Sequence, residues 1–128
     1  MDYREMMNKA KEVSKNAYAR YSNFPVGACV LAESGKTYVG CNMENASFGL
    51  TACAERNAIG AAIANGEKVI KAVAIYSPKT DNCTPCGACR QIIWEFSPKD
   101  EYCVVLTEVN GEIVKKTIRE LLPDGFVL

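Results

Sequence analysis

The chain has seven cysteines and no histidine. Without histidine there is no Ser-His-Asp triad, no H-E-x-x-H zinc site and no imidazole general base. The reactive capacity that remains is concentrated in thiols. Cys53 opens the run Cys53-Ala54-Glu55-Arg56, and Cys86 and Cys89 lie in Pro85-Cys86-Gly87-Ala88-Cys89-Arg90-Gln91. A spacing of i, i+3 sets Cys86 and Cys89 on one face of a helical turn. Both stretches read as helix starts, where the partial positive charge of the N-terminus favours thiolate, the form that zinc binds. Three protein donors with one open position make a catalytic zinc centre, whereas four make a structural one. Cys83 would complete a C-x-x-C-x-x-C run, but Pro85 pushes Thr84 away from helical geometry, so Cys83 precedes the helix and leaves its ligand face. Cys29, Cys41 and Cys103 fall in β-rich runs, where packing is the expected role of a free cysteine.

Glu55 is the acid/base candidate. In the first turn of a helix it lies about 200° around the axis from Cys53, so it does not ligate beside it and instead reaches the open side of the ion. A glutamate at this place also complements the helix dipole, and that alone would explain it if the cysteines were absent. Three thiolates on Zn²⁺ leave a net charge of about −1, which raises the pKa of a water on the ion. Arg56 and Arg90, each next to a ligand, are expected to offset that charge by donating to the sulfurs.

These residues need elements to hold them. Met6, Ala10, Val13, Ala17 and Tyr21 recur at helical spacing and predict a first helix over about residues 2–20. Residues 27–33 and 37–42 are β-rich and joined by Ser34-Gly35-Lys36, a hairpin. Residues 43–52 read as a loop, and 53–65 as an Ala-rich helix stopped by Gly66. Residues 68–77 form a buried strand, 78–85 a loop and 86–96 a helix. Asn110-Gly111 between the runs 102–109 and 112–116 signals a type I′ hairpin. Thr117 to Glu120 is a capping-box pattern before a short last helix. Two β-helix-β crossovers imply a mixed, partly parallel sheet of about five strands in a three-layer α/β/α sandwich. In such a sheet, the path from Cys53 to Cys86 returns two successive helix N-termini to the same edge. No internal repeat or linker divides the chain, so residues 1–128 are expected to be a single domain.

Composition narrows the function. Fifteen basic residues balance fifteen acidic ones for a net charge of +0, which argues against a nucleic-acid or anionic-membrane partner. The longest run without a charged side chain, Tyr21 to Ala32, is far short of the roughly 20 apolar residues of a membrane span. The charged N-terminal run does not resemble a signal peptide, and an odd cysteine count suits reduced thiols in the cytoplasm. Gly35-Lys36-Thr37 mimics the end of a P-loop, but Val30 stands where the first glycine belongs.

Taken together, Thr51-Ala52-Cys53-Ala54-Glu55-Arg56 and Pro85-Cys86-Gly87-Ala88-Cys89-Arg90-Gln91 resemble the signature of the short, tetrameric cytidine deaminases. The likeness extends to Phe24-Pro25-Val26-Gly27-Ala28, to Asn42 through Ser47 and to Glu120 through Pro123. It implies a cytidine deaminase-like fold and one Zn²⁺ per chain on Cys53, Cys86 and Cys89, with Glu55 shuttling protons. It further implies that Phe24 stacks on the pyrimidine, that Asn42 and Glu44 bond the ribose hydroxyls, and that the Ala54 backbone N–H meets the pyrimidine carbonyl. Phe48 and Phe126 would be aromatic walls of sites shared between subunits of a homotetramer. The implied reaction is hydrolysis of cytidine and deoxycytidine to uridine and deoxyuridine with release of ammonia, a step of pyrimidine salvage.

Three other readings stay open at this level. A relative acting on a cytosine-bearing antibiotic such as blasticidin S shares the zinc signature, and Asn42-Met43-Glu44 argues for ribose instead. A structural zinc module would use Cys83 as fourth ligand, although a chain of this size folds without a metal. A thiol redox protein would use Cys86 and Cys89 but leave Cys53 and Glu55 unexplained.

Overall fold

The computed structural model describes residues 2–128. Helix α1 (Tyr3–Ser14) starts at Asp2, whose side chain accepts the Glu5 N–H at 2.8 Å. Strands β1 (Gly27–Ala32) and β2 (Thr37–Cys41) form the expected hairpin, with Gly35 at φ +91° in its turn. Helix α2 (Ala54–Ala64) ends in a Schellman motif: Gly66 N–H donates to Ile63 O and Glu67 N–H to Ala62 O, with Gly66 at φ +92°. Strand β3 (Ile70–Tyr76), helix α3 (Gly87–Phe96) and strands β4 (Val104–Val109) and β5 (Glu112–Thr117) follow. Asn110 and Gly111 both take positive φ, which confirms the type I′ hairpin. Thr117 and Glu120 complete the capping box of α4 (Ile118–Leu121).

The first helix is shorter than its periodicity predicts. It stops at Ser14, and Ala17 and Tyr21 lie beyond it. Tyr18 instead pairs with the segment after β2: its N–H donates to Asn42 O, and its carbonyl accepts from Glu44 N–H. Backbone pairing across the fold takes these residues away from a helix that their spacing alone would allow.

The sheet order is β2-β1-β3-β4-β5. β1 is antiparallel to both β2 and β3, β3 is parallel to β4, and β4 is antiparallel to β5. The first crossover therefore passes over β1 before β3 is laid down, and β3 and β4 are adjacent and parallel. β2 and β3 nonetheless run in the same direction, so the helices that follow them both start at one edge of the sheet.

Alternate residues of the strands face two cores. Val30, Val73, Ile75 and Val105 pack with Ala58, Ile59 and Ala62 of α2 and with Ile93 of α3. Cys29, Ala72, Ala74 and Leu106 pack on the other face with Met6, Met7 and Ala10 of α1. The three-layer α/β/α sandwich is the observed architecture. Two glycines set how closely its layers meet. A Cβ on Gly27 would lie 2.0 Å from Ala10 O of α1, and one on Gly40 would lie 2.4 Å from Ala58 N of α2. Gly27→Ala should therefore lift α1 from the sheet and cost about 3 kcal/mol, the upper end of ordinary overpacking; a urea unfolding midpoint equal to that of the unaltered protein would contradict this.

Candidate active site

The two helix starts deliver the cysteines. Cys53 is the N-cap of α2 and Cys86 the N-cap of α3, each with extended backbone, and Cys89 stands in the first turn of α3. The chain reaches Cys86 through a pinned loop. Asn82, at φ +52°, donates its N–H to Glu108 O and accepts the Thr107 hydroxyl at 2.7 Å. Pro85 is buried, and Arg90 Nε donates to its carbonyl at 2.7 Å. This loop brings the sulfurs of Cys53, Cys86 and Cys89 within 4.8 Å of one another.

Donor type, number and spacing fit zinc. A tetrahedral ion with Zn–S bonds of about 2.3 Å places its sulfurs about 3.8 Å apart, within reach of small side-chain rotations. Cys83 is outside the trio, as the position of Pro85 predicts. It is half-buried against the α2/α3 core, and burial with the neighbouring Glu55 charge pushes its thiol up to about 11. Cys29 and Cys103 are fully buried packing residues whose thiols burial raises to about 11 and about 12.

The three sulfurs differ electrostatically. Burial pushes Cys53 and Cys89 up; at Cys53 it acts against the Cys89 thiol and with the Glu55 charge and Cys86, and at Cys89 the Glu55 charge and both other cysteines add to it. At Cys86 burial works the same way but is outweighed by the N–H groups of Cys89 and Ala88 and by the Cys89 and Cys53 thiols, so its thiol is held below its usual value. Cys86 is thus the sulfur best prepared to meet a cation. Glu55 is only 5% exposed, and burial pushes its carboxyl above the usual range against the pull of its own N–H and the Cys89 thiol. A carboxyl group poised this way holds and releases protons nearer neutral pH.

Cys53, Cys86 and Glu55 open onto a cavity of about 330 Å³, while Cys89 is closed off behind them. Phe24, Asn42, Glu44 and Ala54 line the same cavity, so the structure gathers these sequence-predicted residues in one place. A smaller annex of about 200 Å³ shares Ser22, Glu44 and Thr51 and is bounded by Tyr21 and Phe48. A larger groove of about 830 Å³ lies beside the end of α1 and contains none of the cysteines, so size alone does not locate the chemistry here.

Asn42 and Glu44 also shape the wall. Asn42 Oδ1 accepts Val26 N–H at 2.9 Å and Nδ2 donates to Phe24 O at 3.0 Å. Glu44 accepts the N–H groups of Tyr21 and Ser22, each at 3.0 Å, and the Ser22 hydroxyl, and the Ser22 contacts hold its carboxyl below the usual range. One amide proton of Asn42 and one acceptor position of Glu44 stay available to a ligand. Ser22, Val26, Thr51 and Thr84 also line the cavity. Sequence reasoning missed them because small loop residues carry no chemical signal of their own.

The other sequence-predicted residues stand outside the sulfur cluster. Among the described residues Arg90 makes no hydrogen bond to a sulfur; its Nε and Nη1 donate to the carbonyls of Pro85 and Leu121. Arg56 is exposed and makes no hydrogen bond or ion pair among the described residues. Phe48 and Phe126, 73% and 66% exposed, do not line the cysteine cavity of their own chain. Phe48 meets Tyr21 edge-on at 5.8 Å, and Met43 and Leu50 are exposed nearby in the sequence.

A family model described as the cytidine and deoxycytidylate deaminase zinc-binding region matches residues 1–107. The chain belongs to this deaminase family. A cytidine deaminase of Sporosarcina psychrophila is 42% identical over 126 residues, covering 98% of this chain and 92% of the relative. A crystal structure of cytidine deaminase from Burkholderia pseudomallei superposes with a TM-score of 0.90 at 38% identity, covering 98% of this chain and all of the other. A blasticidin-S deaminase of Bacillus cereus is 38% identical over 106 residues, covering 77% of this chain and 74% of the relative.

For this deaminase, metal binding should depend on three cysteines and not on the fourth. Cys53→Ser, Cys86→Ser and Cys89→Ser are each expected to lose bound zinc by elemental analysis, while Cys83→Ser keeps one ion per chain. Because burial raises the Cys53 and Cys89 thiols, zinc uptake at about pH 7.5 should release protons, measurable in weakly buffered solution, and apparent zinc affinity should rise with pH.

Proposed function

We propose that residues 1–128 act as one domain that binds a single Zn²⁺ and hydrolyses cytidine and deoxycytidine to uridine and deoxyuridine, releasing ammonia. The observation that carries this reading is the buried Glu55 carboxyl beside three converging sulfurs, on a cavity already lined by Phe24, Asn42 and Glu44. Zinc on Cys53, Cys86 and Cys89 would supply Lewis acidity and lower the pKa of water so that attack at C4 of the base proceeds at neutral pH.

The side chains do the rest. Glu55 takes a proton from the attacking water, passes it to N3 of the pyrimidine and later delivers one to the departing amine. Its raised pKa suits a group that must hold a proton between these transfers. The Ala54 N–H, on the first residue of α2, meets the pyrimidine carbonyl. Phe24 lies against the base. The spare amide proton of Asn42 and the spare acceptor of Glu44 meet the ribose hydroxyls. A carboxylate at that end of the cavity repels phosphate, which favours a nucleoside over a nucleotide or a nucleic acid.

The exposure of Phe48 and Phe126 supports a homotetramer in which these rings complete cavities of neighbouring copies. Arg56 and Arg90 supply the positive charge that offsets three thiolates, Arg90 through its place at the base of the Cys86 loop. We place the enzyme in the cytoplasm, in nucleoside salvage, on the strength of its unpaired cysteines and its chemistry. Among the described residues no helix is long and apolar enough to cross a membrane.

Ammonia release and loss of absorbance near 280 nm with cytidine, deoxycytidine and blasticidin S test the assignment directly. Turnover of the antibiotic with neither nucleoside consumed would favour the second reading, which the similarity to a blasticidin-S deaminase keeps in view. Glu55→Gln is expected to retain zinc and lose at least 10² to 10⁴-fold in kcat; a smaller loss with zinc retained would remove Glu55 from the proton path.

A further inference from the structure

The C-terminal segment returns to the helix that carries two of the cysteines. Gln91 stands two positions after Cys89 on α3, and its side-chain amide grips the backbone of Phe126 from both sides. Nε2 donates to Phe126 O at 2.8 Å, and Phe126 N–H donates to Oε1 at 3.1 Å. The amide thus imitates the peptide of a neighbouring strand, which requires a donor and an acceptor on one planar group. These are the sole hydrogen bonds of residues 123–128 among the described residues.

The residue before the grip is seated as well. A Cβ on Gly125 would lie 2.3 Å from the Trp94 ring, so the backbone rests directly on the indole. Trp94 is three residues beyond Gln91, on the same helical face, and its ring is fixed by stacking on Tyr102 at 5.4 Å and by Lys99 Nζ 4.6 Å above it. Arg90 Nη1 holds Leu121 O at 2.9 Å. The helix that positions Cys86 and Cys89 therefore also fixes residues 121, 125 and 126, yet the Phe126 ring stays 66% exposed. Its backbone is clamped while its side chain is offered outward.

We propose that Gln91 is a positioning residue: its amide sets where the Phe126 ring stands, so that the ring closes the cavity of a neighbouring copy over the bound base. This rests on the shared-site reading above. The ring would add binding in ground state and transition state alike, which changes KM and leaves kcat nearly constant.

The experiment compares Gln91→Ala, Gln91→Glu, Phe126→Ala and the Gln91→Ala/Phe126→Ala double variant in the zinc-loaded enzyme, with zinc content checked for each. Phe126→Ala should raise KM for cytidine about tenfold, the scale of one aromatic–base stack. Gln91→Ala should do the same, and the double variant should be no worse than either. Gln91→Glu keeps the acceptor for Phe126 N–H but sets a carboxylate against the Phe126 carbonyl, so it should follow Gln91→Ala while preserving side-chain size. Amide hydrogen exchange at Phe126 should accelerate at least tenfold in both Gln91 variants, with exchange within α3 unchanged. Unchanged exchange at Phe126, or a KM that rises for Phe126→Ala and stays constant for both Gln91 variants, would overturn the role of Gln91. A constant KM for Phe126→Ala beside accelerated exchange in the Gln91 variants would overturn the shared-site reading, and the proposal with it.

Discussion

Glu55 is a carboxyl group held out of water at the start of a helix, against the thiol of Cys89. Removing a carboxylate from solvent is expensive unless something takes up its charge or its proton. Here the helix N-terminus offers one N–H, the sulfur cluster offers a neighbour, and burial shifts the group toward its protonated form. The same desolvation that makes the residue costly is what the proposed proton transfers would use, because a proton carrier needs a pKa nearer neutrality than a free carboxylate has. The fold allows this because β2 and β3 run in the same direction with β1 between them, so α2 and α3 present their N-termini at one edge. Two helix N-termini then face one small volume, where backbone N–H groups help hold the Cys86 thiol below its usual value while burial keeps those of Cys53 and Cys89 above theirs.

Polar residues near this volume serve the backbone before they serve any ligand. Asn42 and Glu44 stitch the Tyr21–Val26 segment in place, which sets the position of Phe24. Arg90 ties the Cys86 loop to the end of α4. Gln91 ties α3 to the last residues of the chain. Such double duty preorganises the site: side chains already held by hydrogen bonds lose little further freedom when a ligand arrives. It also means that a substitution at Asn42 or Glu44 moves the cavity wall as well as removing a contact.

Much of this was legible from residue order. The spacing of Cys86 and Cys89 on one helical turn, the proline that excludes Cys83 and the placement of Glu55 away from Cys53 all follow from local helix geometry, and the cysteine trio assembles as that geometry requires. The Gly66 stop, the Asn110-Gly111 turn and the Thr117 capping box are equally local, because each depends on φ preferences or hydrogen bonds within four residues. The end of α1 was not legible. Ala17 and Tyr21 keep helical spacing, but Tyr18 is captured by a segment more than twenty residues away, and periodicity does not see that competitor.

The sequence by itself determined which three cysteines converge, the carboxyl that stands beside them and the alternation of strands and helices, since these are properties of residue type and short-range spacing. Only the tertiary structure decided that Arg90 holds carbonyls instead of sulfurs, that Asn42 and Glu44 are anchored to the loop bearing Phe24, that Phe48 bounds an annex of the cavity and that Phe126 stands exposed outside it. Those outcomes depend on which distant backbone groups arrive beside a side chain, and that is settled by strand order and layer packing, not by the identity of the side chain.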